Sequence, residues 1–530
     1  MNFRRLGGRV IQSIKERRNA EPAPPKDPAE AEQITTGSVV IPWFKNQLRD
    51  LCQATALHGY SQIVREGYNP LERTLWVLAV STAFVTAVVL LWISWTWNAE
   101  TPTVTVIEST NYATWNLPFP AVTICNLNKI SASKALERAQ AMSRSQNMSA
   151  EELAEMFRLF LHVDGLAEAD EREYRRLHDI LLENNLEVPQ LMGEFAAPCS
   201  AMFERCLWKG TQWRCDTLFR TTNSTEGLCC SFNYFGARVR DYEKKSGGAF
   251  EPRRVTASGY QTGLSLILNP HVEDYFTTDI ATTGFKILIH NSYDFPDENG
   301  ETRIVRSNSE TFLAVLPIET YSTEYAMELD PASRNCFGYN ELRMHVMQRY
   351  SYSNCMIECS TDQIFKRCRC VPYDLPNNGT LPNCEMKDVR CLQQNLELFR
   401  SAIPGRNNLS VTKVMDTAVP SPCRCLPSCE MVQYSVDMIT SEMNRTFSNN
   451  SVEFFKDIKL QDQSAVHIYF SDLVSTRYRK DIYQNWLGVL ASFGGILGLF
   501  LGFSIITGFE VVYFFTIRVL FDVCMKSRKK

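Results

Sequence analysis

One stretch limits what this chain can fold into more than any other. From Ile482 to Phe509 run 28 residues without a formal charge. At 1.5 Å of rise per residue, a helix of that length crosses the roughly 30 Å of hydrocarbon in a bilayer. Gly488, Gly494, Gly495, Gly498, Gly502 and Gly508 interrupt it, and Glu510 follows it. Gly494, Gly498 and Gly502 stand four apart and share one helix face, which lets backbones approach closely in a membrane. The same glycines allow a helix to break and turn carbonyls toward a water-filled path, the setting in which irregular backbone is tolerated at that depth. The glycine pattern alone leaves both readings open, a helix-packing motif or a pore.

A second charge-free stretch, the 24 residues Thr74 to Trp97, lies between Glu72-Arg73 and Asn98-Ala99-Glu100. It is too long and too far from Met1 for a signal peptide, and no small-residue cleavage site follows. Trp92, Trp95 and Trp97 gather at its far end, as an interfacial aromatic belt does. Arg4, Arg5, Arg9, Lys15, Arg17 and Arg18 precede the first stretch, and Lys526, Arg528, Lys529 and Lys530 follow the second. Positive residues favour the cytoplasm, so both ends are read as cytoplasmic. Arg477, Arg479 and Lys480, just outside the Ile482–Phe509 stretch, point the other way.

The cysteines decide between these signals. Of 18, only Cys52 and Cys524 lie outside the segment between the two stretches. An even, dense set in one compartment reads as disulfides in an oxidising space. N-x-S/T acceptors at Asn147, Asn223, Asn378, Asn408, Asn444 and Asn449 fall in the same segment. The reading is a membrane α+β protein of the plasma membrane. Two transmembrane helices flank a large, disulfide-rich, mixed α/β extracellular domain with a central β-sheet. Its parts are a cytoplasmic segment with a re-entrant loop (1–73), a first span (74–97), the extracellular domain (98–481), a second span (482–517) and a cytoplasmic tail (518–530).

Along the chain, residues 1–40 are polar and read as a disordered arm. An amphipathic helix over Phe44 to Leu57 leads to His58-Gly59. Alternation predicts strands at Thr103–Ile107, Phe119–Asn126 and Val466–Phe470, with further strands within 255–320. Pairing the first and last of the extracellular strands in one sheet would couple that domain to the membrane helices. Helices are expected from Ser131 to about Asn185, opened in part by the capping box Ser149-Ala-Glu-Glu152, with charged faces turned to solvent.

The sequence offers no enzyme chemistry. It lacks a phosphate-binding loop, a dinucleotide fingerprint, an H-E-x-x-H and a G-x-S-x-G, and nothing calls for a cofactor. A net charge of −4 gives no reason to expect a nucleic-acid partner. Cys368-Arg-Cys370 and Cys423-Arg-Cys425 have the wrong spacing for zinc and stand in an oxidising compartment, so disulfides are expected there.

Several stretches, in order, carry a family resemblance: His58-Gly59, Phe119-Pro-Ala-Val-Thr-Ile-Cys-Asn126, Gly227-Leu-Cys-Cys-Ser-Phe-Asn233, Cys423-Arg-Cys-Leu-Pro-Ser-Cys429 and Gly498-Leu-Phe-Leu-Gly-Phe-Ser504. Together they resemble the degenerin/epithelial sodium channel family over about residues 40–518. The wording of Thr105–Asn111, Tyr350–Cys355 and Tyr483–Trp486 is most like the insect pickpocket branch. The resemblance implies a homo- or hetero-trimer in the lipid bilayer that conducts Na⁺, is insensitive to voltage and is blocked by amiloride. It implies gating by an extracellular ligand or a mechanical tether, of unstated identity. Gly502, Phe503 and Ser504 match the filter, where bare glycine carbonyls could take the place of sodium's water. Phe503 is bulkier than the small residue common at its position, so its side chain is expected to point away from the axis. His58 and Gly59 match the gating motif, with Gly59 allowing a sharp turn. Ala491 matches the small-residue site where bulk holds such pores open, though helix packing explains it as well. Glu510 matches an acidic position that concentrates cations, and equally reads as a helix-end carboxylate. The cysteine pattern of the family implies Cys125–Cys229, Cys206–Cys215, Cys336–Cys429, Cys355–Cys425, Cys359–Cys423, Cys368–Cys391 and Cys370–Cys384. Cys199 and Cys230 are left over and are expected to pair with each other.

Three rivals to a conducting subunit share part of this evidence. A non-conducting accessory or receptor subunit needs no glycine-broken span. An ATP-gated trimeric channel shares the topology but lacks the matching motifs. An ecto-enzyme has no supporting constellation.

Overall fold

The computed structural model describes residues 46–143, 148–164, 171–236, 251–298, 300–399, 423–444, 453–458 and 460–521. The chain forms two compact units, one from the residues up to Ala99 and from Gln484 onward, the other Glu100–Tyr483.

The small unit is helical. Pro70–Glu100 is one helix of 31 residues, long and apolar enough to cross a membrane. The charge-free stretch near the C-terminus forms two helices rather than one. Trp486–Leu501 and the helical run Ile505–Phe521 meet at an angle of 69°, and together they also meet that test of length and apolarity. Residues 46–54 form a further helix ahead of the His58-Gly59 turn.

The large unit is built on sheets. Its strands are β1 (Thr103–Ala113), β2 (Ala121–Asn126), β3 (Asn128–Ser131), β4 (Phe203–Trp208), β5 (Thr211–Trp213), β6 (Phe219–Ser224), β7 (Gly227–Phe232) and β8 (Leu264–Leu268), followed by β9 (Tyr275–Thr278), β10 (Gly284–His290), β11 (Glu301–Arg306), β12 (Ser309–Ser322), β13 (Met431–Glu442), β14 (Ser464–Phe470) and β15 (Val474–Ile482). One sheet has the order β1-β15-β12-β14-β8-β4-β5, with β13 also on β12; a second has the order β11-β10-β2-β7-β6. The central strand β12 runs parallel to β14 and β15 and antiparallel to β13.

Two of the motifs singled out in the sequence are neighbours here. In the Phe119–Asn126 motif, β2 is buried through Cys125, and it pairs with β7, the strand of the Gly227–Asn233 motif, at Val122↔Phe232, Thr123↔Ser231 and Ile124↔Cys230. Phe119 is fully buried against Trp208, Phe470 and Phe232, with ring centroids 5.0, 5.4 and 6.2 Å away. Enclosing an aromatic ring of this kind contributes about 1.5–3 kcal/mol. Asn233 anchors the approach by donating to the Phe119 carbonyl at 2.6 Å.

The helices Ala132–Ser143, Ala150–Met156 and Glu171–Glu183 keep charged faces outward, but each also buries a stripe in a separate core with Leu153, Phe157, Leu177 and Ile180. Ser149 caps the second of them, its side chain bonded to the Glu152 amide while Glu152 reaches back to the Ser149 amide. The first strand and the Val466–Phe470 strand share one sheet, as expected from the sequence, but are not direct neighbours in it. β1 pairs with β15, not with the Val466–Phe470 strand, from Thr103↔Ile482 to Ala113↔Val474. Ile482 therefore ends a strand, and the helix of the charge-free stretch begins four residues later at Trp486.

Candidate functional site

The break in the second apolar segment follows from three local choices. Asn485 opens the first helix by accepting the Gly488 amide at 2.7 Å. Gly502 closes it in the left-handed conformation, φ 65° and ψ 23°. That conformation costs roughly 1–2 kcal/mol for any residue with a Cβ, which is why glycine ends helices this way. Ser504 then starts the next helix, its hydroxyl accepting the Thr507 amide at 3.2 Å. The three residues matched to the filter are thus the C-terminal cap of one helix, the link, and the N-terminal cap of the next. A helix end leaves carbonyls without an intrahelical partner.

One of those carbonyls is taken by the other motif. The His58 amide donates to the Leu501 carbonyl at 2.9 Å. The His58 ring lies directly over Gly502: a Cβ on that glycine would stand 2.6 Å from Cδ2 and 2.7 Å from Nε2. Gly59 has φ 79°, and a Cβ there would stand 2.8 Å from Val80 Cγ2 on the Pro70–Glu100 helix. Two glycines thus let the loop after residue 54 fit between the first apolar helix and the break in the second. A second tie lies further along, where Arg518 bonds Asp50 at 2.9 Å and stands 5.0 Å from the Phe514 ring. Arg518 follows a wide π-helical turn, Tyr513–Ile517, a form frequent at functional sites.

The remaining candidates are spread along the broken helix pair. Phe503 is 38% exposed and its ring rests against Gly508. Glu510 is half-buried, and one carboxylate oxygen is enclosed without a hydrogen-bond partner among the described residues. Ala491 is exposed on the helix, and nothing described lies within 4 Å of a Cβ added at Gly494 or Gly495. Ala491 is therefore not brought into the His58–Gly502 contact.

In the large unit the sixteen cysteines form eight disulfides: Cys125–Cys229, Cys199–Cys230, Cys206–Cys215, Cys336–Cys429, Cys355–Cys425, Cys359–Cys423, Cys368–Cys391 and Cys370–Cys384. Cys355 and Cys359 sit one turn apart on the helix Tyr352–Cys368, so two rungs fasten the same helix to the Cys423–Cys425 segment. Asn223, Asn378 and Asn444 are exposed, as glycan acceptors must be; Asn147, Asn408 and Asn449 lie outside the described residues.

Sequence reasoning missed two charged clusters in this unit. Arg477 on β15 bonds Glu319 at 2.7 Å and Glu108 at 3.5 Å, and stands over the Tyr321 and Tyr112 rings. Further from it, Lys129 bonds Glu226 at 2.8 Å and Asp279 at 3.1 Å. Burial pushes the Asp374 carboxyl beside them up to about 6, and burial likewise raises Asp294 to about 6 and lowers His290 to about 4. Nothing in the spacing of these residues announces either cluster, because each is assembled from segments far apart in the chain.

Over residues 51–514 the chain matches the family described as amiloride-sensitive sodium channel. It is 26% identical over 497 residues to sodium channel protein Nach of Drosophila ananassae, covering 92% of this chain and 90% of that one. It is 24% identical over 468 residues to pickpocket protein 11 of Drosophila melanogaster, with 88% and 75% covered. To the bile acid-sensitive ion channel of Mus musculus it is 25% identical over 489 residues, with 88% and 87% covered.

Proposed function

Because the chain belongs to the amiloride-sensitive sodium channel family, we propose that it is one subunit of a trimeric, voltage-insensitive, amiloride-blocked sodium channel of the plasma membrane. It crosses the bilayer twice with both termini in the cytoplasm, and the large unit receives an extracellular chemical or mechanical stimulus. One observation carries the reading: the second apolar segment breaks by 69° at Gly502–Ser504, with the His58 loop seated on the break. An anchor has no use for such a break, whereas a filter needs backbone oxygens turned out of a helix in a water-lined site. Three copies of Gly502-Phe503-Ser504 around an axis supply the ring of oxygens. The Glu510 carboxylate beyond it, one oxygen of which has no hydrogen-bond partner among the described residues, raises the local cation concentration.

In this reading His58 and Gly59 form the gate's support. The loop holds the Leu501 carbonyl and packs on Gly502, so moving it changes the helix end that presents the filter. A stimulus opens the pore only by the difference in its interaction energy with the two states. Ala491 is exposed among the described residues, and bulk there acts against a neighbouring subunit.

The test is two-electrode voltage clamp on oocytes expressing the Ala491→Phe variant, with sodium exchanged for a large impermeant cation and amiloride applied. A constitutive, sodium-dependent, blockable current is expected. Protein at the cell surface with no current refutes the homomeric channel, and co-expression with related subunits then tests the accessory role.

A further inference from the structure

Phe503 poses a steric problem at the break. Its neighbours Gly502 and Ser504 are small, and its own ring is large and 38% exposed. Its amide is fixed by the Leu497 carbonyl at 3.2 Å, so the residue cannot swing freely away. The ring turns toward the following helix and settles over Gly508. A Cβ added at Gly508 would stand 3.3 Å from Cζ and 3.9 Å from Cε2 of Phe503, and no other described residue outside its own helix lies within 4 Å of it.

Gly508 has no backbone reason to be glycine. It lies inside the helix Ile505–Val512, its amide donates to the Ser504 carbonyl at 3.0 Å, and its φ is not in the left-handed region. A glycine inside a helix costs about 1 kcal/mol relative to alanine. The ring is what the missing side chain makes room for.

We infer that Gly508 is a positioning residue for sodium selectivity, a seat that keeps the Phe503 ring on the second helix and off the Gly502–Ser504 backbone. The inference rests on the proposed channel reading and adds to it a residue that touches no ion. A Cβ at Gly508 makes the ring give by a few tenths of an ångström, and a branched side chain there pushes it off its seat. Because the ring is attached at the centre of the break, its displacement turns the carbonyls on either side. A large residue at Phe503 and a vacant position at Gly508 are then one device, and shrinking the first removes the need for the second.

The test is a double-mutant cycle on the full chain with Gly508→Val, Phe503→Ala and both together, each in the Ala491→Phe background. The sodium-over-potassium permeability ratio is read from reversal potentials, and the melting midpoint is measured in detergent. Gly508→Val is expected to lower the ratio several-fold and to lower the midpoint. In the presence of Phe503→Ala it is expected to do neither. Equal effects of Gly508→Val with and without the ring overturn the seat. If no variant conducts, the homomeric channel reading fails, while the melting cycle still decides the seat by coupling or additivity. If Gly508→Val does not reach the surface, Gly508→Ala carries the same cycle.

Discussion

Asp294 and His290 give the large unit opposing responses to pH, and removing one should expose the other. Asp294 lies in the loop after β10. Its carboxyl is bonded to Ser351 and enclosed near Tyr234, Tyr339 and Tyr434. Burial raises it from 3.8 to about 6. His290 ends β10, with Nδ1 3.0 Å from the Asn291 carbonyl and Nε2 2.9 Å from the Thr123 hydroxyl. Burial lowers it from 6.5 to about 4. Between those limits the folded state keeps a proton on Asp294 that the unfolded chain has released, so stability falls as pH rises. Over nearly the same window the unfolded chain carries a proton on His290 that the folded state refuses, so stability rises with pH. Two pKa units correspond to roughly 3 kcal/mol for either group. The two slopes therefore nearly cancel in the parent. Asp294→Asn removes the falling one, and the stability of the variant relative to the parent should climb by roughly 3 kcal/mol from pH 3 to pH 6.5. For a unit larger than 250 residues that is a relative rise of about 3–6 °C in melting midpoint. The assay is tryptophan fluorescence during heating of the full chain in detergent, parent beside variant, at four pH values across the window. The contribution of Asp374 is common to both proteins and drops out. A difference between the two midpoints that stays constant with pH would refute the assignment of the proton to Asp294.

Two further outcomes follow from the contacts. Gly502→Ala adds a left-handed penalty of roughly 1–2 kcal/mol and a clash with the His58 ring of roughly 1–3 kcal/mol; His58→Ala should recover only the second part in a melting-midpoint cycle, and no recovery at all would mean the ring does not rest there. Arg477→Ala leaves Glu108 and Glu319 facing each other across β1, β15 and β12, a loss of about 1–3 kcal/mol for a partly exposed pair; Glu319→Gln in the same chain should relieve it, and additive midpoints would show that the arginine acts by packing on Tyr112 and Tyr321 instead.

The parts of this fold that could be read from sequence are those in which neighbours in the chain are neighbours in space. Alternation located most of β2, β10 and β14, and the capping box at Ser149 marked a helix start. Strand β15 escaped because Arg477, Arg479 and Lys480 break any run of apolar residues over it. In the sheet those charges meet Glu108 and Glu319, Asp481, and the Arg334 carbonyl. Seven of the eight disulfide pairs in the structure are those implied by the family pattern, and the eighth, Cys199–Cys230, joins the two cysteines which that pattern left over; spacing among sixteen cysteines could not have selected them. At the break, sequence singled out His58, Gly59, Gly502 and Phe503 but not what each touches. His58 and Gly502 lie at opposite ends of the chain. Phe503 and Gly508 are five apart, a spacing that places no two residues over one another on a continuous helix, where contacts fall at three and four. The turn at Gly502 removes that constraint, since the ring belongs to the link and the glycine to the helix beyond it. A local rule of periodicity therefore fails at the one place where the helix stops, and the pairing most relevant to the proposed filter is among those it hides.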